Sequence, residues 1–277
     1  LLAVISVSAQ LNRVEKKIIQ QVQDYNQESI DFLEKLVNIN SGTLNLEGIK
    51  KVGMVLEKEF QAIEFDTRWI DMPSKMNRAG HLFASKKGSK GKRILLIGHI
   101  DTVFEADSPF QNFEIIEGKV YGPGANDMKG GDVIMLYALK ALYDLKLLDK
   151  ASITVAYTGD EESSGKPLSI SRKDLIEVAK SSDIALGFEN STGFNYATVA
   201  RRGSSGWTLE VKGERAHSSS IFSERTGAGA IFEISRILNE FYINVKGETH
   251  LTFNPGLLLG GTFVEFDSKQ SKGEAFG

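Results

Sequence analysis

The sequence contains no cysteine among its 277 residues. That absence excludes zinc sites built on thiolates, iron–sulfur clusters and a cysteine nucleophile. Neither sign of charge is in excess, because 33 Lys+Arg face 36 Asp+Glu and the formal net charge is −3. No basic field therefore favours nucleic acid as a partner. The composition, 41% hydrophobic and 25% charged, is typical of a globular protein.

Long apolar runs are scarce as well, and none approaches the ~20 residues of a membrane-spanning helix, so no membrane span is predicted. The first eight residues are mostly apolar, and Val7-Ser8-Ala9 fits the small-residue pattern before a signal-peptidase site. We therefore expect residues 1–9 to be the remnant of a signal peptide that lacks its basic start, and the protein to be periplasmic or secreted. Residues 272–277 show no stop signal, so the chain is expected to end within a domain.

Strands and helices alternate through the first two thirds of the chain. Short apolar runs predict buried strands, and apolar residues at helical spacing predict amphipathic helices. The predicted helices cover residues 11–38, 46–60 and 130–148; the predicted strands cover residues 65–72, 81–85, 93–98, 151–158 and 183–188, with a hairpin at 114–121. This order indicates an α/β fold with a mixed, largely parallel sheet and helices on both faces, assigned to a catalytic domain of residues 10–203.

The pattern changes near residue 203. The segment that follows predicts one helix and three strands in the order β-α-β-β: a strand at 207–212, a helix at 226–241 and strands at 251–253 and 257–264. That order is typical of a small α+β, ferredoxin-like domain with a one-sided antiparallel sheet. We assign this second domain to residues 204–277.

Chemically active side chains follow three of the predicted strands, and another lies in a glycine-rich loop. His99 and Asp101 follow strand 93–98, Glu161 and Glu162 follow strand 151–158, Glu189 follows strand 183–188, and Asp127 lies in the glycine-rich loop 122–131. Open α/β sheets bind ligands beyond the carboxyl ends of their strands, so we expect these residues to converge there. Each pattern alone is more often a surface or capping feature, but the four in this order favour a functional site.

One imidazole with several carboxylates and no thiol suits a divalent ion such as zinc, manganese or cobalt. His99 would be a ligand, and Asp101 could hold the ring nitrogen that faces away from the metal. Asp127 lies in a loop where one carboxylate can approach two ions. Adjacent Glu161 and Glu162 point in opposite directions in an extended chain, so one would bind metal and the other would act as general base. The residues alone leave open which does which.

The sequence resembles the dinuclear zinc peptidases and amidohydrolases, a family that includes glutamate carboxypeptidase, aminoacylase, acetylornithine deacetylase and succinyl-diaminopimelate desuccinylase. The resemblance runs from about residue 30 to the end. It is carried by Leu-Leu-Ile-Gly-His99-Ile-Asp101-Thr-Val, Gly-Pro-Gly-Ala-Asn-Asp127-Met-Lys-Gly-Gly, Thr-Gly-Asp-Glu161-Glu162, Gly-Phe-Glu189-Asn and Gly213-Glu-Arg-Ala-His217-Ser. The last of these segments falls where the family enters its lid domain, which also forms its dimer.

The resemblance implies a role for each of these positions. His99 and Glu189 would bind the first metal, Asp127 would bridge both metals, Glu162 would bind the second, Glu161 would be the general base, Asp101 would orient His99, and His217 would reach the active site of the partner subunit to stabilise the oxyanion. The resemblance also implies a cis peptide bond between Asp127 and Met128. Two divalent ions, with zinc favoured, are the implied cofactors.

Two departures from the family pattern stand out. Pro123 replaces a common Arg, and Glu189 replaces the commoner Asp, which lengthens the ligand by one methylene. The last metal ligand of the family is a His beyond residue 277, so the second metal would have only Asp127 and Glu162 from this chain. We therefore expect a chain that ends at residue 277 to bind metal weakly and to be inactive.

The resulting hypothesis is a metal-dependent hydrolase that cleaves an amide bond. The export signal and the Gly-Pro-Gly variant favour a carboxypeptidase that releases a C-terminal amino acid from a peptide and dimerises through residues 204–277. The alternatives are an N-acyl-amino-acid deacylase of the same family, a co-catalytic aminopeptidase, which His217 argues against, and a non-catalytic homologue that dimerises through its lid.

Overall fold

The structure is a computed structural model that describes residues 11–193, 195–267 and 272–277. The expected signal remnant at residues 1–9 lies outside the described residues. The chain divides into two compact units, Leu1–Tyr196 and Ala197–Gly277. The division therefore falls a few residues before the boundary that the sequence places near residue 203.

The first unit is built on a five-stranded sheet. In chain order its strands are β1 (Asp66–Ile70), β2 (His81–Lys86), β3 (Arg93–His99), β6 (Ser152–Thr158) and β7 (Ile184–Gly187), and their order across the sheet is β1-β2-β6-β3-β7. The pairs β1·β2 and β2·β6 are antiparallel, whereas β6·β3 and β3·β7 are parallel. The separate hairpin β4 (Glu114–Ile116) and β5 (Lys119–Tyr121) confirms the predicted turn.

Helices cover both faces of this sheet. They are α1 (Arg13–Asp24), α2 (Asn26–Val37), α3 (Leu46–Ala62), α4 (Lys129–Asp144), α5 (Leu168–Ser171) and α6 (Lys173–Lys180). Leu36, Leu56 and Leu136 of α2, α3 and α4 belong to the larger buried cluster, and Leu175 of α6 packs with Leu95 in the smaller one. The predicted α/β fold with a mixed sheet and helices on both faces is therefore confirmed, but the edge strand β7, predicted to be buried, has all four of its residues exposed. The predicted helical stretch 11–38 is divided at Tyr25.

The second unit differs from its prediction. Its regular elements among the described residues are α7 (Ala230–Asn244), the hairpin of β8 (Phe263–Asp267) and β9 (Lys272–Phe276), and one turn of 3-10 helix. The strands expected at 207–212 and 251–253 are not formed, and most of their side chains are exposed. Alternating apolar residues specify a strand only when a neighbouring strand satisfies its backbone, and these segments lack one among the residues described. The ferredoxin-like arrangement is thus not observed.

None of the helices in the described part of the chain is long and apolar enough to cross a lipid bilayer.

Candidate metal centre at the carboxyl edge of the sheet

Three neighbouring strands end at the same edge of the sheet, and each delivers a functional side chain there. His99 is the last residue of β3 and pairs with Thr158, the last residue of β6. Glu161 follows β6 by a short turn, and Glu189 follows β7. We call this edge, with the loop that carries Asp127, the carboxyl edge. The convergence expected from the strand order is therefore observed.

The His99 ring lies at the centre of the carboxyl edge and is 1% exposed. Its Nδ1 lies 3.0 Å from the backbone oxygen of Asp101, and a ring N–H at Nδ1 donates to that oxygen. In that tautomer, Nε2 carries a lone pair. Nε2 faces Asp127 Oδ1 at 2.9 Å, Glu189 Oε1 at 3.5 Å and Glu161 Oε2 at 4.0 Å.

A glycine-rich loop and the start of α4 position Asp127. Gly124 has φ +75° and close neighbours, and the backbone N–H of Lys129 donates to its carbonyl at 2.7 Å. The Asp127–Met128 peptide bond is cis, which confirms that expectation. The Asp127 carboxylate is half exposed and directly precedes a helix N-terminus, where the helix dipole favours negative charge.

Lys129 anchors the same loop from below. Its ammonium group is buried and donates to the carbonyl oxygens of Leu36 and Ile39, both at 3.0 Å, at the C-terminal end of α2. Burial lowers the pKa of Lys129 to about 8, and the charge of Asp132 opposes that effect. The side chain therefore fixes the loop to a helix end rather than contacting substrate.

Glu161 and Glu162 lie in a turn, not in the extended chain that the sequence argument assumed. Their backbone N–H groups donate to the two carboxylate oxygens of Asp101, at 3.0 and 3.1 Å. Thr43 also donates its hydroxyl to Asp101, at 2.7 Å. Asp101 is fully buried, so it fixes the turn as well as the His99 ring.

The electrostatics of the carboxyl edge are dominated by its carboxylates. Burial by itself lowers the pKa of His99, but the Asp101 carboxylate and the charges of Asp132 and Glu189 raise that pKa to about 10. Burial raises the pKa of Glu162, and the charge of Asp127 adds to this, so that pKa reaches about 6. Both shifts indicate a negative potential that favours a cation.

The donor set fits a divalent metal ion. One ligand atom from each of His99, Asp127 and Glu189 lies within 4.8 Å of the other two. The imidazole lone pair and the carboxylate oxygens can only accept hydrogen bonds, so a cation or a proton has to lie between them. Among the described residues, no other group of three or more His, Asp or Glu side chains is clustered this closely. Glu162 stands outside it, as expected if its metal takes a further ligand from elsewhere.

His217 belongs to the second unit, where it precedes the turn of 3-10 helix. Its Nδ1 accepts a hydrogen bond from Ser219 N at 3.2 Å and lies 2.9 Å from Ser219 Oγ, and the residue is exposed. Its predicted role across a dimer stays a prediction. His81 is buried and hydrogen-bonded, and His250 is exposed.

Sequence reasoning missed three groups at this edge. Asp132 is fully buried on α4, and no partner for either carboxylate oxygen is found among the described residues. Its burial raises its pKa well above the usual range. Asp160, which is fully buried, and Arg172, which is partly buried, form an ion pair beneath the Glu161–Glu162 turn. An acidic residue on the inward face of an otherwise apolar helix was the available signal for Asp132.

Comparison with known proteins confirms the resemblance that the sequence motifs predict. Residues 95–200 match the profile of "Peptidase family M20/M25/M40", a match that includes every proposed site residue from His99 to Glu189. Carboxypeptidase G2 of Pseudomonas sp. (strain RS-16) is 32% identical over 260 residues, covering 91% of this chain and 60% of that protein. Succinyl-diaminopimelate desuccinylase of Rhodospirillum centenum is 33% identical over 154 residues, covering 51% of this chain and 39% of that protein.

The chain thus spans less than two thirds of the length of these relatives. Among solved structures, human carnosine dipeptidase 1 superposes with a TM-score of 0.54 at 19% identity, over 63% of this chain and 41% of that chain. This similarity shows the fold of the α/β unit.

Proposed function

We propose that this chain forms the metal-binding part of a dinuclear metal-dependent carboxypeptidase, which hydrolyses the amide bond to a C-terminal amino acid. One observation carries the metal part of the proposal: the lone pair of a buried imidazole faces three carboxylates at 2.9–4.0 Å. A metal ion held between these groups satisfies that arrangement; without one, an imidazolium proton on Nε2 does so by donating to Asp127 Oδ1. The residue roles proposed here follow the family resemblance.

In this proposal His99 and Glu189 would hold the first ion, Glu162 would hold the second, and Asp127 would be shared by both. When bound, the ions supply Lewis-acid chemistry that polarises the scissile carbonyl and makes water more acidic. Zinc is the favoured ion because the donors are one imidazole and oxygen atoms.

Glu161 is the proposed general base. Its carboxylate is about half exposed beside the His99 ring, so it can accept a proton from water at the edge and pass it to the leaving amine. Asp101 accepts hydrogen bonds from both the Glu161 backbone N–H and the His99 ring, which fixes the position of the base relative to the metal ligand. Geometry of this kind limits the motion that a catalytic base can make.

The choice of substrate class rests on the relatives. Carboxypeptidase G2 matches nearly the whole chain, whereas the desuccinylase matches about half of it. The second candidate is therefore deacylation of N-acyl amino acids, which uses the same chemistry. A non-catalytic role is disfavoured because the proposed ligand positions and the position of the proposed base all keep ionisable or ligating side chains.

The test is hydrolysis by the full-length natural protein, measured as amino acid released from a panel of peptides and N-acyl amino acids. Chelator should abolish turnover and zinc should restore it. Glu161→Gln should lower kcat by on the order of 10²–10⁴-fold while the metal content is kept. Glu177→Gln, an exposed glutamate on α6, is the matched control and should behave like the parent. Unchanged turnover in Glu161→Gln would remove Glu161 from the mechanism.

We also propose that two copies associate through the second unit and that His217 of one copy serves the other. A mixture of Glu161→Gln and His217→Asn proteins should then regain activity that neither has alone.

Export to the periplasm or medium is proposed from the Val7-Ser8-Ala9 pattern, and fractionation of cells producing the natural protein tests it. Activity confined to the cytosolic fraction would contradict export.

A further inference from the structure

The turn that carries Glu161 and Glu162 is held from below by a buried polar cluster. Asp160, which precedes the two glutamates, is fully buried. Its Oδ2 accepts hydrogen bonds from the Gly165 backbone N–H at 2.8 Å and from the Ser171 hydroxyl at 2.7 Å. Its Oδ1 pairs with the guanidinium of Arg172. One carboxylate therefore ties both ends of the turn to the end of α5.

Arg172 closes the same turn from the other side. One terminal nitrogen donates to the backbone oxygen of Asp160 at 3.0 Å and to the Ser164 hydroxyl at 2.9 Å, while the other donates to Asp160 Oδ1 and the Ser171 hydroxyl. The guanidinium lines a cavity of about 380 Å³ that also touches His99, Glu161 and Glu189. Its terminal nitrogens are nevertheless engaged within the protein, which favours a positioning role over recognition of a substrate anion.

His81 joins the ends of this segment independently of the ion pair. Its Nδ1 accepts the Gly159 backbone N–H at 3.2 Å, and its Nε2 lies 2.8 Å from the carbonyl oxygen of Ser171, to which it donates. These two bonds assign the neutral tautomer with the proton on Nε2. The exit from β6 and the end of α5 are thus fixed to the start of β2, so Arg172 and Asp160 act on a segment whose ends are already anchored.

We propose that Asp160 and Arg172 are a positioning pair that sets where Glu161 and Glu162 stand relative to His99. The assignment of a base and a second-metal ligand to these glutamates rests on the proposed function; the anchoring of their turn does not. A planar guanidinium bonds the backbone oxygen and hydroxyl on one side and the carboxylate on the other at the same time, which a lysine ammonium cannot reproduce. Loss of these simultaneous guanidinium hydrogen bonds, which we call the fork, should therefore make the Glu161–Glu162 turn more mobile while leaving β3 and β7 in place.

The decisive variant is Arg172→Lys in the full-length natural protein, which keeps the charge and loses the fork. The matched control is Arg93→Lys, because Arg93 makes a two-bond pair with Asp183 at the opposite end of β3, at 2.9 and 3.1 Å. In metal-free protein, amide exchange of peptides spanning residues 160–165 should become at least tenfold faster in Arg172→Lys alone. Exchange in β3 should stay unchanged in both variants.

Zinc titration supplies the second readout. Arg172→Lys should raise the dissociation constant of the more weakly bound zinc ion at least tenfold, because Glu162 moves. The dissociation constant of the more tightly bound zinc ion should stay within twofold of the parent value. The kcat should fall at least tenfold with KM within twofold, because the base is displaced and the substrate contacts are not. Behaviour identical to Arg93→Lys in exchange and in zinc binding would overturn the proposal, as would faster exchange spread evenly over the first unit.

Ser164→Ala covers the case in which Arg172→Lys does not fold. It removes one hydrogen bond from Arg172 and should produce the same localised increase in exchange at residues 160–165, at a smaller amplitude. An unchanged turn in Ser164→Ala would then count against the pair. If the parent protein binds zinc but hydrolyses nothing in the panel, the proposed function fails, while exchange and zinc affinity still decide the positioning role.

Discussion

The two ends of β3 carry similar chemistry in opposite surroundings. At its amino end Arg93 pairs with Asp183, and both side chains are substantially exposed. At its carboxyl end His99 is surrounded by carboxylates, and behind it Arg172 pairs with Asp160, which is wholly buried. Hydrogen bonds from Arg93 hold the pKa of Asp183 well below its usual range, yet water screens that pair. The same kind of ion pair therefore has different consequences at the two ends.

Burial explains the contrast. Exposed ion pairs gain little because both partners are well solvated when apart, whereas a buried charge that loses its partner is left without solvation. At the carboxyl end the polar groups are also linked in series, since Asp101 contacts the His99 ring, Thr43 and the Glu161–Glu162 turn. A change to one of these groups should therefore reach several others, and a change at the amino end should stay local.

The largest effect is expected from removing the bridging carboxylate. Asp127→Ala should abolish stoichiometric zinc binding and lower kcat/KM by on the order of 10⁴-fold, because the His99 lone pair and Glu189 no longer share a metal. Metal content after dialysis and steady-state kinetics measure this. Asp107→Ala, an exposed aspartate in the loop after β3, is the control. Retention of full zinc content by Asp127→Ala would contradict the proposed site.

A smaller effect is expected from a change at Asp101, which is buried behind the His99 ring. Asp101→Asn keeps the shape of the side chain but replaces one acceptor oxygen with an NH₂ group, which cannot accept a backbone N–H of the turn. Metal affinity or activity should fall by about 10- to 100-fold, the range found for groups that orient metal ligands. Zinc competition with a chelator measures this loss. A variant indistinguishable from the parent would show that the backbone oxygen of Asp101 alone orients His99.

The sequence is informative about the carboxyl edge because parallel strands bring their ends together. Short apolar runs locate β3, β6 and β7, and the residues after them must then meet, as His99, Glu161 and Glu189 do. The cis bond after Asp127 could be predicted only from the family resemblance. Spacing alone also gave the wrong local geometry for Glu161 and Glu162, which lie in a turn.

Other features depend on contacts that no local pattern encodes. The pairing of Asp160 with Arg172 is set by how α5 follows the turn, and both residues resemble ordinary surface charges in the sequence. In the second unit, the alternation at 207–212 predicts a strand, with Leu209 and Val211 half-buried and their neighbours exposed. Alternation specifies which side chains face inward, but a strand also needs a partner for its backbone.

Asp132 sharpens the comparison through its pH dependence. Because burial raises the folded-state pKa of Asp132, the folded chain keeps this proton to a higher pH than the unfolded chain, so the contribution of Asp132 to stability falls as pH rises above about 4. Asp132→Asn removes that loss. In metal-free protein, the melting temperature of the variant minus that of the parent should increase between pH 5 and pH 8. A difference that is flat or decreases with pH would mean that Asp132 is ionised in the folded protein.

The smallest effect is expected at the amino end of β3. Arg93→Lys removes the two-bond geometry of an exposed pair but keeps the charge, and water replaces the lost hydrogen bonds. The melting temperature and kcat/KM should therefore match the parent within error, and any residual difference should disappear in high salt, because screening removes what remains of the attraction. Thermal melts at low and high ionic strength measure this. A large, salt-independent loss would show that the Arg93–Asp183 pair fixes the register of β3 and β7, and the contrast between the two ends would then rest on strand pairing rather than on burial.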